Sequence, residues 1–502
     1  MRVTTRVSGL ILTACAMLAI TSCESQPTAS SAPKEKLAIG VEIIPTTLDP
    51  GQTYQRTAAS ILQLTGGKLT TPDPDGKGVG MGLAESVTPS DTHYIVKLKP
   101  GLKFSDGSEL TSQDVIASFE YFIADKTNGL GYSYEAIKNL TAVDDLTVDF
   151  ELKHPSTALM FYMSQPQSAI LPSESIASRG KQLYEGVPIP TAGQFQVESM
   201  SQDQITLQAN PNYAGTQPST KTVVFKKIVD PAARLAQLQG GQIDFADTIS
   251  PKQVGQLSDP VKVDSYSTPI GAYHLSLNTR ANSILSDVRI RRAIADAIDR
   301  KQINEVAYAG LSEPALGIFG GSSKFYEPFL SENADVAGAQ KLLADTKCES
   351  ECSLKIIAPS DNDALGDTAI VVQQNLKAIG INAEVAKTEA ATLNKWSADG
   401  NFDIRVGGVY DVGDFPDGYL AFSLLSEYGA SYTGYSSPEM DKLIGEVGST
   451  SGAAQTAATH SLNAVFENDL PVVPTVGFTI VSASRVPADV FKVNANTFYS
   501  VG

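Results

Sequence analysis

The side chains that carry most enzyme chemistry are scarce and scattered in this chain. Its four histidines are His93, His154, His274 and His460, and its four cysteines are Cys15, Cys23, Cys348 and Cys352. A histidine acts as a general base only beside a nucleophile, and zinc needs clustered nitrogen and sulfur ligands. No G-x-S-x-G and no H-E-x-x-H stretch occurs, and Ser31 to Lys34 spells S-x-x-K inside a polar, structureless segment. The expectation is a protein that is not an enzyme and carries no metal or other cofactor.

The cysteines have two kinds of surroundings. Arg2 and Arg6 precede an uncharged apolar run from Val7 to Ile20, the pattern of a secretory signal. A spanning helix needs about 20 apolar residues, more than this run supplies. Ile20, Thr21, Ser22 and Cys23 resemble a bacterial lipobox, in which the cysteine is acylated. Leu12 to Cys15 fits the same pattern but leaves too short an apolar run ahead of it. We therefore expect a signal peptide over 1–22, lipidation at Cys23 and a flexible Ser/Thr/Pro/Ala-rich tether over 23–36. A diacylated cysteine anchors stably, so the only membrane contact expected is the lipid, at the outer face of the cell membrane or on the periplasmic side in a two-membrane bacterium. In that oxidising compartment Cys348 and Cys352 suggest a disulfide closing the loop CESEC, with two free thiols as the alternative.

The chain has 38 basic and 55 acidic residues, a net charge of -17, which disfavours nucleic acid as a partner. Its length implies at least two lobes. HYIVKLK alternates as a strand, turns at Pro100-Gly101 and is expected to return through LKFSDG as a hairpin. Thr111 with Asp114 opens a helix through Phe122. Phe195 and Val197 pair by pattern with Ile205 and Leu207, and KTVVFKKI reads as a further strand. Asp287 caps a helix expected over VRIRRAIADAIDRKQI, with Ile290, Ile294, Ala297 and Ile298 buried and Arg292, Asp296 and Arg300 as an exposed ladder. LKIIA, INAEVA and FDIRV, separated by helices, predict a largely parallel sheet.

Taken in order, Leu83 to Phe122, NPNYAG, VRIRRAIADAIDR, DFPDGYLAF and TGYSSPEMDKLI resemble the extracellular solute-binding proteins of the oligopeptide, dipeptide and nickel class, family 5. The resemblance spans nearly the whole chain from about Leu37. It implies an α/β, two-lobed periplasmic-binding-protein-like fold (type II, cluster C) with an extra inserted subdomain and a hinge. The implied division is lobe 1 over 37–269 with the insertion at about 79–182, lobe 2 over 270–469, and a return to lobe 1 over 470–502. It also implies a monomer that captures a small molecule, with a peptide as the leading reading, between closing lobes and delivers it to ABC permease subunits. A nickel complex, an oligosaccharide and an opine-like metabolite are the alternatives.

In peptide-binding relatives an acid in an aromatic-acid-proline segment pairs with the ligand's amino terminus, and a dry carboxylate must be paired to repay its desolvation. That resemblance makes Asp414 the ligand-binding acid, with Asp411 as the alternative; capping of the following helix competes for both. The segment departs from the family in having Gly408, Val409 and Tyr410 where a tryptophan is usual. Tyr410, Tyr432 and Tyr54 are expected to line the cleft, with Tyr435 a further aromatic near it.

Overall fold

The computed structural model describes residues 34–52, 55–73, 78–124, 133–184, 188–350, 352–411, 420, 424–426, 430–493 and 498–502. Cys23, Tyr54 and Asp414 lie outside the described residues. Along the chain, β1 (Lys36–Val41) precedes the helix Arg56–Thr65 and the short ribbon of β2 (Thr70–Pro72) and β3 (Val79–Met81). A four-stranded antiparallel sheet follows, built from β4 (Ala84–Pro89), β5 (His93–Leu98), β6 (Ile137–Asp144) and β7 (Thr147–Leu152) in the order β4-β5-β7-β6. Its inner face packs on the helix Ser112–Ala124. Phe119 meets Phe150 edge to face at 5.0 Å, and the two share a core with Phe122 and Tyr134. The helix begins as its sequence predicts, with Asp114 accepting from the Thr111 amide at 2.9 Å and satisfying one of the first-turn donors.

The chain then builds β8 (Phe195–Met200), β9 (Gln204–Ala209), β10 (Thr222–Lys227), β11 (Phe245–Ala246), the 16-residue β12 (Lys262–Leu277), β13 (Cys352–Pro359), β14 (Ile381–Thr388), β15 (Ile404–Asp411) and β16 (Val472–Ser484). These nine strands join β1 in one ten-stranded sheet, ordered β14-β13-β15-β12-β16-β11-β1-β10-β9-β8. A last ribbon, β17 (Phe491–Val493) with β18 (Tyr499–Val501), packs Phe491 and Tyr499 on Phe245 at the β1 end. Separate cores form at the two ends of the sheet. One gathers Ile39, Phe225 and Phe245, and the other gathers Ile294, Ile356 and Val372.

β12 and β16 carry the sheet from one end to the other. They pair antiparallel from Lys262↔Ser484 to Ser267↔Thr479 and resume at Ala272↔Gly477, so residues 268–271 face Phe478 alone. Gly271 sits there with φ 128, a backbone conformation open to glycine. Around the interruption Ser267 Oγ lies 2.9 Å from Thr479 Oγ1, which donates to Ser312 Oγ at 3.1 Å, and Ser312 Oγ donates to Gly477 O at 2.6 Å.

Three expectations are corrected. LKFSDG does not return as a strand: β5 pairs with β4 and β7, while 103–109 closes a tight turn that buries Leu102, Phe104 and Leu110. The long helix divides into Val288–Ala297 and Arg300–Tyr308, the second capped by Asp299, which accepts from Gln302 N at 2.8 Å. Arg292 and Asp296 do form an i,i+4 pair at 3.2 Å, but the break turns Arg300 inward to 1% exposure. There it donates to Pro474 O at 2.9 Å and Ser331 O at 2.9 Å. Last, only β14, β13 and β15 run parallel at this end; β12 is antiparallel to both its neighbours, because β15 and β16 each approach it from the opposite direction.

Candidate functional site

In open α/β sheets ligands settle beyond the carboxyl ends of parallel strands, where backbone amides and loops are free to converge. Here β1 and β11 end on one side of β12 and β16, and β13 and β15 end on the other. Their loops carry a dense set of charges. Asp247, just past β11, is buried to 3% exposure and ion-pairs with Arg56, which opens the helix Arg56–Thr65 and donates to Thr248 Oγ1 at 3.1 Å. Arg234 lies beneath them and donates to Thr248 O at 2.7 Å. Glu42, just past β1, has its carboxyl pKa raised by burial, opposed by Arg234 and reinforced by Asp361 and Asp247. Asp361 follows β13, so acids from the two ends of the sheet feel one another's field.

The segment after β1 is held by Asp49. Its carboxylate accepts from Tyr121 Oη at 2.5 Å, Gln52 Nε2 at 2.8 Å and the Gly51 amide at 2.9 Å. Tyr121 belongs to the helix Ser112–Ala124, so that helix, packed on the four-stranded sheet, holds the segment 49–52.

β15 brings two of the sequence-selected residues to the hinge. Its register places Tyr410 opposite Gly271 and Asp411 opposite Ile270, beside the interruption in β12. Earlier on the same strand stands Arg405, which sequence reasoning missed. It donates to Ser397 Oγ at 3.0 Å and Asn394 Oδ1 at 3.1 Å, and its guanidinium carbon lies 5.0 Å over the ring of Tyr432. Burial draws its pKa below the usual value, with Tyr432 opposing, yet a guanidinium keeps its proton at any ordinary pH. Next to it His274 is 5% exposed, and burial lowers its pKa to about 4 with the Arg405 charge adding to the shift. That imidazole is neutral at pH 7.

At Gly408 a neighbouring ring occupies the space that a side chain would need. A Cβ there would come within 2.7 Å of Tyr273 Cδ1, whose ring lies between Tyr308, at 5.0 Å, and Phe478, at 4.8 Å. An aromatic surface is thus present beside β15, contributed by its neighbour β12. The sequence signal was the YHL alternation of β12, which carries no mark of proximity to position 408.

Of the remaining expected residues, Tyr432 is half-buried under Arg405. Tyr435 packs into the core with Met440, Leu443 and Phe466 and donates its hydroxyl to Asp469. Cys348 and Cys352 are joined in a disulfide, with Cα atoms 4.6 Å apart, and are buried against β13 rather than beside the charged loops. Among the described residues no group of three or more His, Cys, Asp or Glu side chains is placed to hold a metal, and no helix is long and apolar enough to cross a membrane.

This is a mixed α/β fold of the periplasmic-binding-protein kind, and solved structures share it over most of the chain. A dipeptide-binding protein from Pseudoalteromonas sp. SM9913, in complex with Met-Leu, superposes with a TM-score of 0.82 at 19% identity, covering 93% of this chain and 98% of that one. AgaA from A. tumefaciens R10, in complex with agropinic acid, does so with a TM-score of 0.79 at 22% identity, covering 93% and 99%. In sequence, the oligopeptide-binding protein AppA of Bacillus subtilis is 30% identical over 410 residues, 75% of this chain and 74% of its own. Residues 78–431 match the model of the bacterial extracellular solute-binding proteins, family 5 (middle region). The chain belongs to the family 5 extracellular solute-binding proteins. It is accordingly a non-catalytic, extracytoplasmic substrate-binding component of an ABC importer.

Proposed function

We propose that this protein captures peptides between two lobes, 37–269 with 470–502 and 270–469, and passes them to its permease while tethered to the membrane through an acylated Cys23. The observation that carries the ligand class is the placement of an acid and a base on one strand: Asp411 ends β15 beside the interruption in β12, and Arg405 precedes it with its guanidinium over Tyr432. A zwitterionic chain needs an acceptor for its ammonium and a donor for its carboxylate, and a guanidinium binds carboxylates in a two-pronged geometry. Roomy contacts to the rest of the ligand would admit varied side chains. We take Asp411, the alternative to Asp414 in the resemblance, as the acid that meets the ammonium. The glycine at 408, with Tyr273 in the space beside it, supports a second reading in which the ligand is an opine-like metabolite, an oligosaccharide or a nickel complex.

The test is mass spectrometry of what co-purifies with the chain expressed without residues 1–23, followed by calorimetry with the recovered species. Peptides that rebind to the wild type and to Asp414→Asn, but at least about tenfold more weakly to Asp411→Asn, support the proposal. A sugar, opine or metal complex recovered in their place overturns the ligand class and leaves the import role standing.

A further inference from the structure

Away from the hinge, a cavity of about 300 Å³ opens between the helix Arg56–Thr65, the β2–β3 ribbon and β18. None of its lining residues comes from 270–469, and its one link to the charged loops named above is Tyr499, whose hydroxyl feels Asp247 and Arg56. Two stretches with no part in the function proposed above meet in it: Leu83, which starts the first family-like segment, and Tyr213 to Gly215 of NPNYAG.

Its charge is the reverse of the molecule's. The chain has 55 acids against 38 bases, yet the described residues lining this cavity include Lys68 and Lys99 and no carboxylate. Lys68 is 8% exposed. Its ammonium donates to Gln63 Oε1 at 3.0 Å and to the carbonyls of Gln63 and Gly66, each at 3.3 Å. Those carbonyls end the helix Arg56–Thr65, where a cation is favoured, and that accounts for a lysine at this place. It leaves Lys68 without a counter-charge, and a buried ammonium with only neutral partners is poorly compensated for its lost hydration; the lining adds a second lysine, the exposed Lys99. Burial correspondingly lowers the Lys68 pKa to about 8. Lys99 donates to Gly82 O at 2.5 Å, again a neutral acceptor.

We propose that this cavity is a second binding site, for a small carboxylate- or phosphate-bearing anion held between Lys68 and Lys99. The site does not depend on the peptide reading of the hinge loops. Tyr213 and Tyr499, which also line it, have pKa values raised by burial and stay protonated between pH 7 and 9, the window in which Lys68 loses its charge.

Calorimetric titration of the full mature chain with succinate, and separately with inorganic phosphate, tests the site. We expect one of the two to bind saturably, to lose about tenfold in affinity from pH 7 to pH 9 as Lys68 deprotonates, and to bind equally well to Asp411→Asn. The exposed Lys99→Met is expected to weaken binding by about tenfold with an unchanged melting temperature, and Lys68→Met to abolish it. A preference for phosphate over succinate would identify the anion and keep the site. Absence of saturable binding by either, binding insensitive to both Lys99→Met and pH, or loss of binding in Asp411→Asn would overturn it.

Discussion

Lys252, in the turn after β11, forms an ion pair with Asp367 in the helix Asp363–Ala378, joining residues from the two ends of the ten-stranded sheet. A second tie lies far from it in sequence, where the Thr157 amide donates to Gly448 O at 3.4 Å. Both contacts exist only while the two ends are close together.

The Lys252–Asp367 pair is therefore expected to favour the closed arrangement. Its side chains are 51% and 27% exposed, which limits the contribution to about 0.2–1 kcal/mol. Lys252→Ala should lower ligand affinity by about two- to fivefold in dilute buffer and by nothing in concentrated salt, where the pair is already screened. Equal affinities of wild type and variant at low salt would show that the pair does not hold the closed form.

Arg405 should be intolerant of its nearest substitute. A lysine keeps the charge but cannot donate to Ser397 and Asn394 together or lie flat on Tyr432, so the cation would no longer be held in place. Arg405→Lys is expected to cost about tenfold or more in ligand affinity while shifting the melting temperature little. Calorimetry beside a thermal melt separates the two effects.

His274 sets an acid limit on stability. Its folded pKa, about 4, lies below the value in an unfolded chain, so between roughly pH 6.5 and 4 the unfolded state binds the proton that the folded state refuses. Stability from this group is complete above that window and falls as pH drops through it, by up to about 3 kcal/mol. His274→Gln should flatten the difference between urea midpoints at pH 7 and pH 4.5. A wild-type pH slope preserved in the variant would assign it to the carboxylates instead.

Reduction of Cys348–Cys352 should be felt by the fold and not by the ligand. A loop this short, closed on itself, restricts the unfolded chain by about 2 kcal/mol. Denaturation with and without reductant is expected to show that loss, with ligand affinity unchanged because the pair is buried against β13 away from the charged loops.

The elements that follow from local pattern were legible in the sequence. The Phe195/Leu207 hairpin, the Thr111–Asp114 helix start and the βαβ succession of β13 to β15 all have their signal within a few neighbouring residues. What was not legible depends on contacts distant in sequence. Arg300 looked like one rung of a surface ladder because its i−4 neighbour is Asp296, and nothing nearby announces that Pro474 and Ser331 wait for it on the inside. The same holds for the site. Acids in a loop can be found by type, but Arg405 gained its place from Tyr432, and Tyr273 gained its place from the gap at Gly408; both relationships exist only after the strands pair.

The uneven meeting of β12 and β16, four residues against one, amounts to stored length. About 10 Å of extra contour lies folded into β12 where β16 contributes the single residue Phe478. A bend at this point can therefore be fed by chain already in reserve, leaving in place the ladder from 262 to 267 and the pairing that resumes at Ala272. The restoring force would then come from the short segment between them, and its stiffness, more than the strength of any contact in the cleft, would decide how far the molecule opens when it lets its ligand go.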